Sequence, residues 1–235
     1  LAPMRMNVIA NILNVDEYGA LALPIDTRNV DELISDARDL ALPRGMSVLA
    51  PTNVNVGNAF VVSDGYAGLT GVQTLSDLAR VSDAAPVVVG GPPTCPTEAW
   101  CLPFLKNTYG IKVKAFVPLD AGGALSRSAV NDPNIDVVWL SGNDGGITEF
   151  DFNVLEDDLG REPVNPIAPV MQQSRVDPDI TKVLNLVSSA LTTQEIREMS
   201  HRVDFNREEM NDVVQEFLRT HDLSAIDVAA LADQS

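Results

Sequence analysis

Two nearly continuous apolar runs, Ala-Pro-Val-Val-Val at residues 85–89 and Ile-Asp-Val-Val-Trp-Leu at 135–140, set the tightest limit on what this chain can become. Runs that do not alternate apolar with polar residues suit strands covered on both faces of a sheet. Gly90-Gly91 reads as the stop of the first run. Around these runs, helix and strand patterns alternate along the first two thirds of the chain, which predicts an α/β protein. Further strands are expected at residues 46–50, 58–63, 113–119 and 152–156. Asn29-Val-Asp-Glu32 reads as a capped helix start with Val30, Leu33, Ile34 and Ala37 on one face, ended by Pro43-Arg-Gly45. Thr74-Leu-Ser-Asp-Leu78 opens a short helix, and helices are also expected at residues 102–109, ended by Gly110, and at 123–130.

The last third changes character. Ile180, Val183, Leu184, Val187 and Leu191 form one helical stripe. Thr192-Thr-Gln-Glu195 reads as a capping box, and Asn206 reads as the start of a helix carrying Met210, Val213, Val214, Phe217 and Leu218. These faces are expected to be core. The Ala- and Asp-rich tail after Leu223 is expected to fray or to form a terminal helix.

With 33 acidic residues against 16 basic ones, the chain carries a net charge of −17. Such a surface repels phosphate backbones and anionic lipid, which argues against nucleic acid and membrane surfaces as partners. No apolar run reaches the roughly 18–20 residues that cross a bilayer. Leu1-Ala-Pro-Met-Arg5 lacks the apolar core of a signal peptide, and a signal or anchor removed ahead of Leu1 stays open.

The two cysteines, Cys95 and Cys101, stand six apart in Gly-Gly-Pro-Pro-Thr-Cys-Pro-Thr-Glu-Ala-Trp-Cys. This spacing is not the C-x2-C of zinc sites or thioredoxin-like motifs, and His201 and His221 lie far downstream, so no metal is expected. A disulfide is the expected state, which points to an extracytoplasmic protein. The alternative is a pair of buried free thiols in a cytosolic one.

Several phrases then occur in a telling order: Leu49-Ala-Pro51, Thr74-Leu-Ser-Asp-Leu-Ala79, the Gly90-Gly91 strand end, Leu102-Pro-Phe-Leu…Tyr109-Gly110 and Pro118-Leu-Asp-Ala-Gly122. Val154-Leu-Glu-Asp-Asp158, Ile167-Ala-Pro-Val170 and the run from Val183 to Leu218 complete the set. From about Val48 to Leu223 the chain resembles the substrate-binding proteins of ABC importers for glycine betaine, carnitine and choline. The resemblance implies a two-lobe periplasmic-binding-protein type II fold with a hinge and a central cleft. It implies one lobe of residues 1–60 plus 163–235 and a second of 61–162. Asp16-Glu-Tyr-Gly-Ala20 and Asn7-Val-Ile-Ala-Asn-Ile12 look like two family phrases with almost nothing between them, so the first lobe reads as shortened near residues 12–14. The resemblance also implies a monomer that meets permease and ATPase subunits and needs no cofactor.

A quaternary ammonium is held by aromatic faces, and a betaine carboxylate adds a demand for Arg. The chain is only 5% aromatic. By resemblance, Tyr18 falls on the first aromatic cage position, Asn58 on the next, Ser141 on the third and Asn165 near the last, while Glu98 falls on the carboxylate-binding Arg. Asn58, Ser141, Asn143 and Asn165, with Glu98 and Asp120 nearby, would make a hydrogen-bonding, acidic site. It suits a small polar or cationic solute better than a carboxylate, although each residue also suits a solvated loop. A slip in register would bring in Phe60 or Trp100 as an aromatic wall. Asp120-Ala-Gly-Gly123 also reads as a plain strand-to-helix turn without the Lys of a P-loop.

No nucleophile elbow and no metal-spaced His/Glu cluster occurs in the sequence, so catalysis is not expected. The competing expectation is a two-lobe fold that no longer binds transported solute and serves as a sensor or protein-interaction module.

Overall fold

The computed structural model describes residues 2–5, 29–162 and 164–223. Tyr18, the phrases at 7–12 and 16–20, the shortening near 12–14 and the tail after Leu223 lie outside them. The chain divides into two compact units, Leu1–Val56 with Pro163–Ser235, and Gly57–Glu162.

In the first unit, β1 (Ala2–Arg5), β8 (Ile167–Gln172) and β2 (Met46–Val48) form an antiparallel sheet in the order β1-β8-β2. The strand at β8 was not expected from the sequence, where Ile167-Ala-Pro-Val170 stood out only as a family phrase. Helix α1 (Val30–Ala41) starts on Asn29, whose side chain accepts the Asp31 and Glu32 backbone amides. It buries Leu33, Ile34, Ala37 and Ala41 against Val48 and Ala168. A 3-10 turn follows and ends on Gly45, which takes the left-handed conformation at φ 67° that favours glycine.

The C-terminal helices α7 (Pro178–Ala190), α8 (Thr193–Asp204) and α9 (Met210–Thr220) depart from expectation in burial. Ile180, Val183, Leu184, Val187 and Leu191 are only half-buried rather than core, and in α9 only Val213 and Phe217 are fully buried. Helix α9 also begins four residues after Asn206, whose side chain donates to Glu208 instead of capping. At α8, Thr192 accepts the Glu195 amide, the first half of the expected box.

The second unit holds a five-stranded sheet in the order β5-β4-β6-β3-β7, made of β3 (Asn58–Val62), β4 (Val87–Gly91), β5 (Val113–Pro118), β6 (Val137–Ser141) and β7 (Asn153–Val154). Strand β4 runs parallel to β5 and β6, and β3 runs antiparallel to β6 and β7. Successive residues of each strand serve opposite faces. Phe60, Val62, Val87, Val89 and Val137 pack on α3 (Leu75–Ala84) and α4 (Leu102–Asn107), while Ala59, Val61, Val138 and Leu140 pack with Leu119, Ala129 and Ile147. Helix α3 starts in a full capping box between Thr74 and Asp77. The remaining helices are α2 (Asp64–Thr70), α5 (Ala124–Ala129) and α6 (Gly146–Glu149). Gly90 and Gly91 are the last two residues of β4, so the strand ends on the pair and not before it. They are small because neighbours are close: a Cβ on Gly90 would stand 2.6 Å from Leu119 Cδ1, and one on Gly91 3.2 Å from Trp139 Cβ.

Cys95 and Cys101 form a disulfide, and both are buried in the core beneath α4. Closing so short a loop removes unfolded-chain entropy worth roughly 2–2.5 kcal/mol. Replacing both cysteines by Ala should therefore lower unfolding free energy by about that amount, measured by urea denaturation of the oxidised protein and the variant.

Candidate functional site

The second unit gathers several of the expected residues at one end of its sheet, and strand register is the reason. Asn58 pairs with Ser141, and Phe60 pairs with Trp139. Because side chains alternate across a strand, Asn58, Phe60, Trp139 and Ser141 share one face. Asn58 is the centre of this group. Its Oδ1 accepts the Trp139 Nε1–H at 2.7 Å, and its Nδ2 donates to the Trp100 carbonyl at 2.7 Å. Trp100 closes the disulfide loop and is 43% exposed, with its ring 5.7 Å from that of Phe104. Both tryptophans of the chain are thus tied to one asparagine.

Beside this face, Ser141 Oγ donates to Asn143 Oδ1 at 2.6 Å. The turn is fixed from below by Asp144, whose backbone amide donates to the Ser141 carbonyl. Its Oδ1 accepts Arg127 Nε at 2.8 Å and the Gly146 amide at 2.7 Å. Asp144 is buried, so the Arg127 ion pair compensates a charge that would otherwise be costly to bury.

Glu98 lies exposed in the disulfide loop, two residues before Trp100. Asp120 is committed differently. Its carboxylate accepts the amides of Gly123, Leu125 and Ser126 and the Ser126 hydroxyl, holding the start of α5. Burial pushes its pKa up, but these hydrogen bonds outweigh that and hold the carboxyl below its ordinary value. The turn-forming reading of Asp120-Ala-Gly-Gly123 thus accounts for its contacts.

Asn165 belongs to the first unit, where it is buried, donates to the Val56 carbonyl at 3.4 Å and takes the Asn55 side chain on its backbone amide. Among the described residues its Oδ1 has no hydrogen-bond partner. It lies against a cavity of about 680 Å³ in that unit, also lined by Asp31, Arg38, Thr52 and Asn53.

Two residues were missed from sequence. Trp139 carried a usable signal, since it stands two positions before Ser141 on the same strand and must share its face. Glu162 carried none, lying in a Gly-Arg-Glu-Pro stretch that reads as loop. Its Oε1 accepts the Asn58 backbone amide at 2.6 Å, and its own amide donates to Asp157 Oδ2 at 2.6 Å. Asp157 also accepts the Tyr109 hydroxyl. Burial raises the Glu162 pKa; the Asn58 amide lowers it and the Asp157 charge raises it, leaving it up at about 7. Among the described residues no cluster of three or more His, Cys, Asp or Glu is placed to hold a metal, and no helix is long and apolar enough to cross a membrane.

The family described as the substrate binding domain of ABC-type glycine betaine transport systems matches residues 35–220. The chain belongs to this family. Among curated relatives, a glycine-betaine-binding protein of Pseudomonas aeruginosa is 25% identical over 224 residues, spanning 88% of this chain and 71% of that protein. Two solved structures share the fold. The crystal structure of a glycine betaine/carnitine/choline ABC transporter protein superposes with a TM-score of 0.77 at 21% identity, covering 94% of this chain and 78% of that one. Apo YehZ from Escherichia coli gives 0.74 at 18% identity, covering 93% and 79%. The mixed α/β, two-lobe binding-protein fold implied by the resemblance is therefore the fold of this family member. The family is one of transport binding domains rather than of enzymes.

Proposed function

We propose that this family member is the extracytoplasmic solute-binding component of an ABC importer, taking a small polar or cationic solute that lacks a carboxylate. The observation that carries the reading is the Asn58–Trp139–Trp100 network on a sheet end of a betaine-family binding domain. Two indole rings supply π faces for a cation, and Asn58, Ser141 and Asn143 supply hydrogen-bonding groups. Glu98, exposed in the adjoining loop where the family resemblance puts an Arg, attracts cations and repels carboxylates. Asn165 and Tyr18 are assigned to the same solute from the first lobe, and Asp120 acts behind the site as a turn anchor. Residues 1–60 plus 163–235 and residues 61–162 act as the hinged lobes. The protein works as a monomer with permease and ATPase subunits, uses no cofactor, performs no catalysis and binds no nucleic acid.

A thermal-shift series on the full chain tests this. A bound solute at a hundred times its dissociation constant adds about 2.7 kcal/mol, several degrees for a chain of this size. Choline, a polyamine or a polyol is expected to give that shift, and glycine betaine a smaller one. A dominant shift with glycine betaine would contradict the acidic site. Silence with every solute would overturn solute binding and favour a fold kept as a sensor or protein-interaction module.

A further inference from the structure

Asn58 and Glu162 stand 104 positions apart and meet where the second unit begins and ends. The contact is directional: the carboxylate takes the Asn58 backbone N–H at 2.6 Å. Glu162 is braced from behind, since its own amide is held by Asp157, which accepts the Tyr109 hydroxyl. Tyr109 in turn accepts the Leu159 amide at 3.2 Å. The chain of contacts therefore runs from a braced carboxylate, through one asparagine, to the Trp139 indole and the Trp100 carbonyl.

We propose that Glu162 is the positioning residue of the solute-binding face, anchoring the backbone of Asn58 at the start of β3 and through it the side chain that holds both tryptophans. The proposal rests on the reading that Asn58 lines the solute site. A carboxylate accepts the Asn58 amide more strongly than a carboxylic acid does, so the grip on Asn58 changes with the proton on Glu162. Burial first, and then the Asp157 charge, raise that change to about pH 7 against the lowering pull of the Asn58 amide. The groups facing Glu162 are accounted for. Asp157 lies on its own loop, and Tyr109, beyond the end of α4, keeps its proton because burial and Asp157 raise its pKa well above the usual phenol range. Asp158 adds to the same effect on Tyr109. Strand β3 brings only Asn58 and apolar side chains.

The test follows the two indole N–H signals of the ligand-free, 15N-labelled full chain from pH 5.5 to 8.5, with Trp100→Phe to assign them. The Trp139 signal is expected to move with a midpoint near pH 7 and to stand still in Glu162→Gln, which keeps an acceptor without the titration. A Trp139 signal that does not move in the wild type, or that still titrates in Glu162→Gln, overturns the proposal. In a second arm calorimetry with choline reads affinity. Glu162→Ala should weaken binding roughly tenfold, as expected for an amide left without its acceptor, and Glu162→Gln, which keeps an acceptor oxygen, should restore it. Equal losses in both variants would overturn positioning by the acceptor. If choline fails to bind the wild type, the choice of solute falls while the indole titration still decides the role of Glu162.

Discussion

Glu162→Gln should be more stable than the wild type at pH 8 and gain nothing over it below the ordinary carboxylate value of 4.5. The reason is the cost of ionising a carboxyl inside the second unit. The folded pKa, at about 7, stands above the ordinary carboxylate value of 4.5. Below pH 4.5 both folded and unfolded chains carry the proton, and the group's favourable contribution is complete. Between 4.5 and 7 the unfolded chain has released its proton while the folded chain retains it. Raising the pH therefore pulls toward unfolding, and the contribution is lost through pH 7. A shift of this size corresponds to at most about 3 kcal/mol, and relaxation around the site reduces it to roughly 1–3 kcal/mol. Gln keeps the acceptor for the Asn58 amide and has no charge to bury. Urea denaturation at about pH 4, 6 and 8 should show the gap opening with pH. A constant gap, or one that opens toward acid, would mean that Glu162 is not held protonated by burial.

Phe104→Ala should cost about 3–5 kcal/mol, the range for deleting a large buried aromatic. Phe104 is 2% exposed and among the largest fully enclosed side chains. Its ring lies 5.7 Å from Trp100 and meets Tyr109 edge-on at 5.5 Å. It therefore joins the loop that carries Trp100 to the Tyr109–Asp157 brace behind Glu162. Thermal denaturation gives the stability loss, and Trp100 fluorescence, isolated with Trp139→Phe, should turn more solvent-exposed in the same variant. Phe104→Leu should lose much less, because it leaves a smaller cavity. A loss below 1 kcal/mol for the alanine would show that this aromatic stack is not part of the core.

The helices and strands that show a clear period are the ones legible from sequence. Asn29 and Thr74 cap as their spacing requires, because a side-chain oxygen two or three residues ahead of free amides is a local matter. Burial of the C-terminal stripes was not legible, since periodicity names a face but not what covers it. Gly90-Gly91 marks the end of β4 as its last two residues and not as the stop beyond them, because glycine in a strand also marks close approach, and Leu119 and Trp139 are supplied from distant sequence. Within the site, Asn58, Ser141 and Asn143 came from family resemblance, and strand register then set Asn58 opposite Ser141. Trp139 followed from alternation once that register was known. Glu162 was invisible, as its partner Asn58 is 104 residues away and nothing local distinguishes a half-buried glutamate from a solvated one.

The most direct measurement compares choline and glycine betaine by thermal shift at matched concentrations on the full chain. The two share the trimethylammonium group and differ in hydroxyl against carboxylate, so the pair isolates the site's preference of charge. Glu98, exposed in the loop that carries Trp100, predicts a clear shift with choline and a smaller one with glycine betaine. A larger shift with glycine betaine would contradict that preference, and no shift with either or with the wider solute series would contradict solute binding itself.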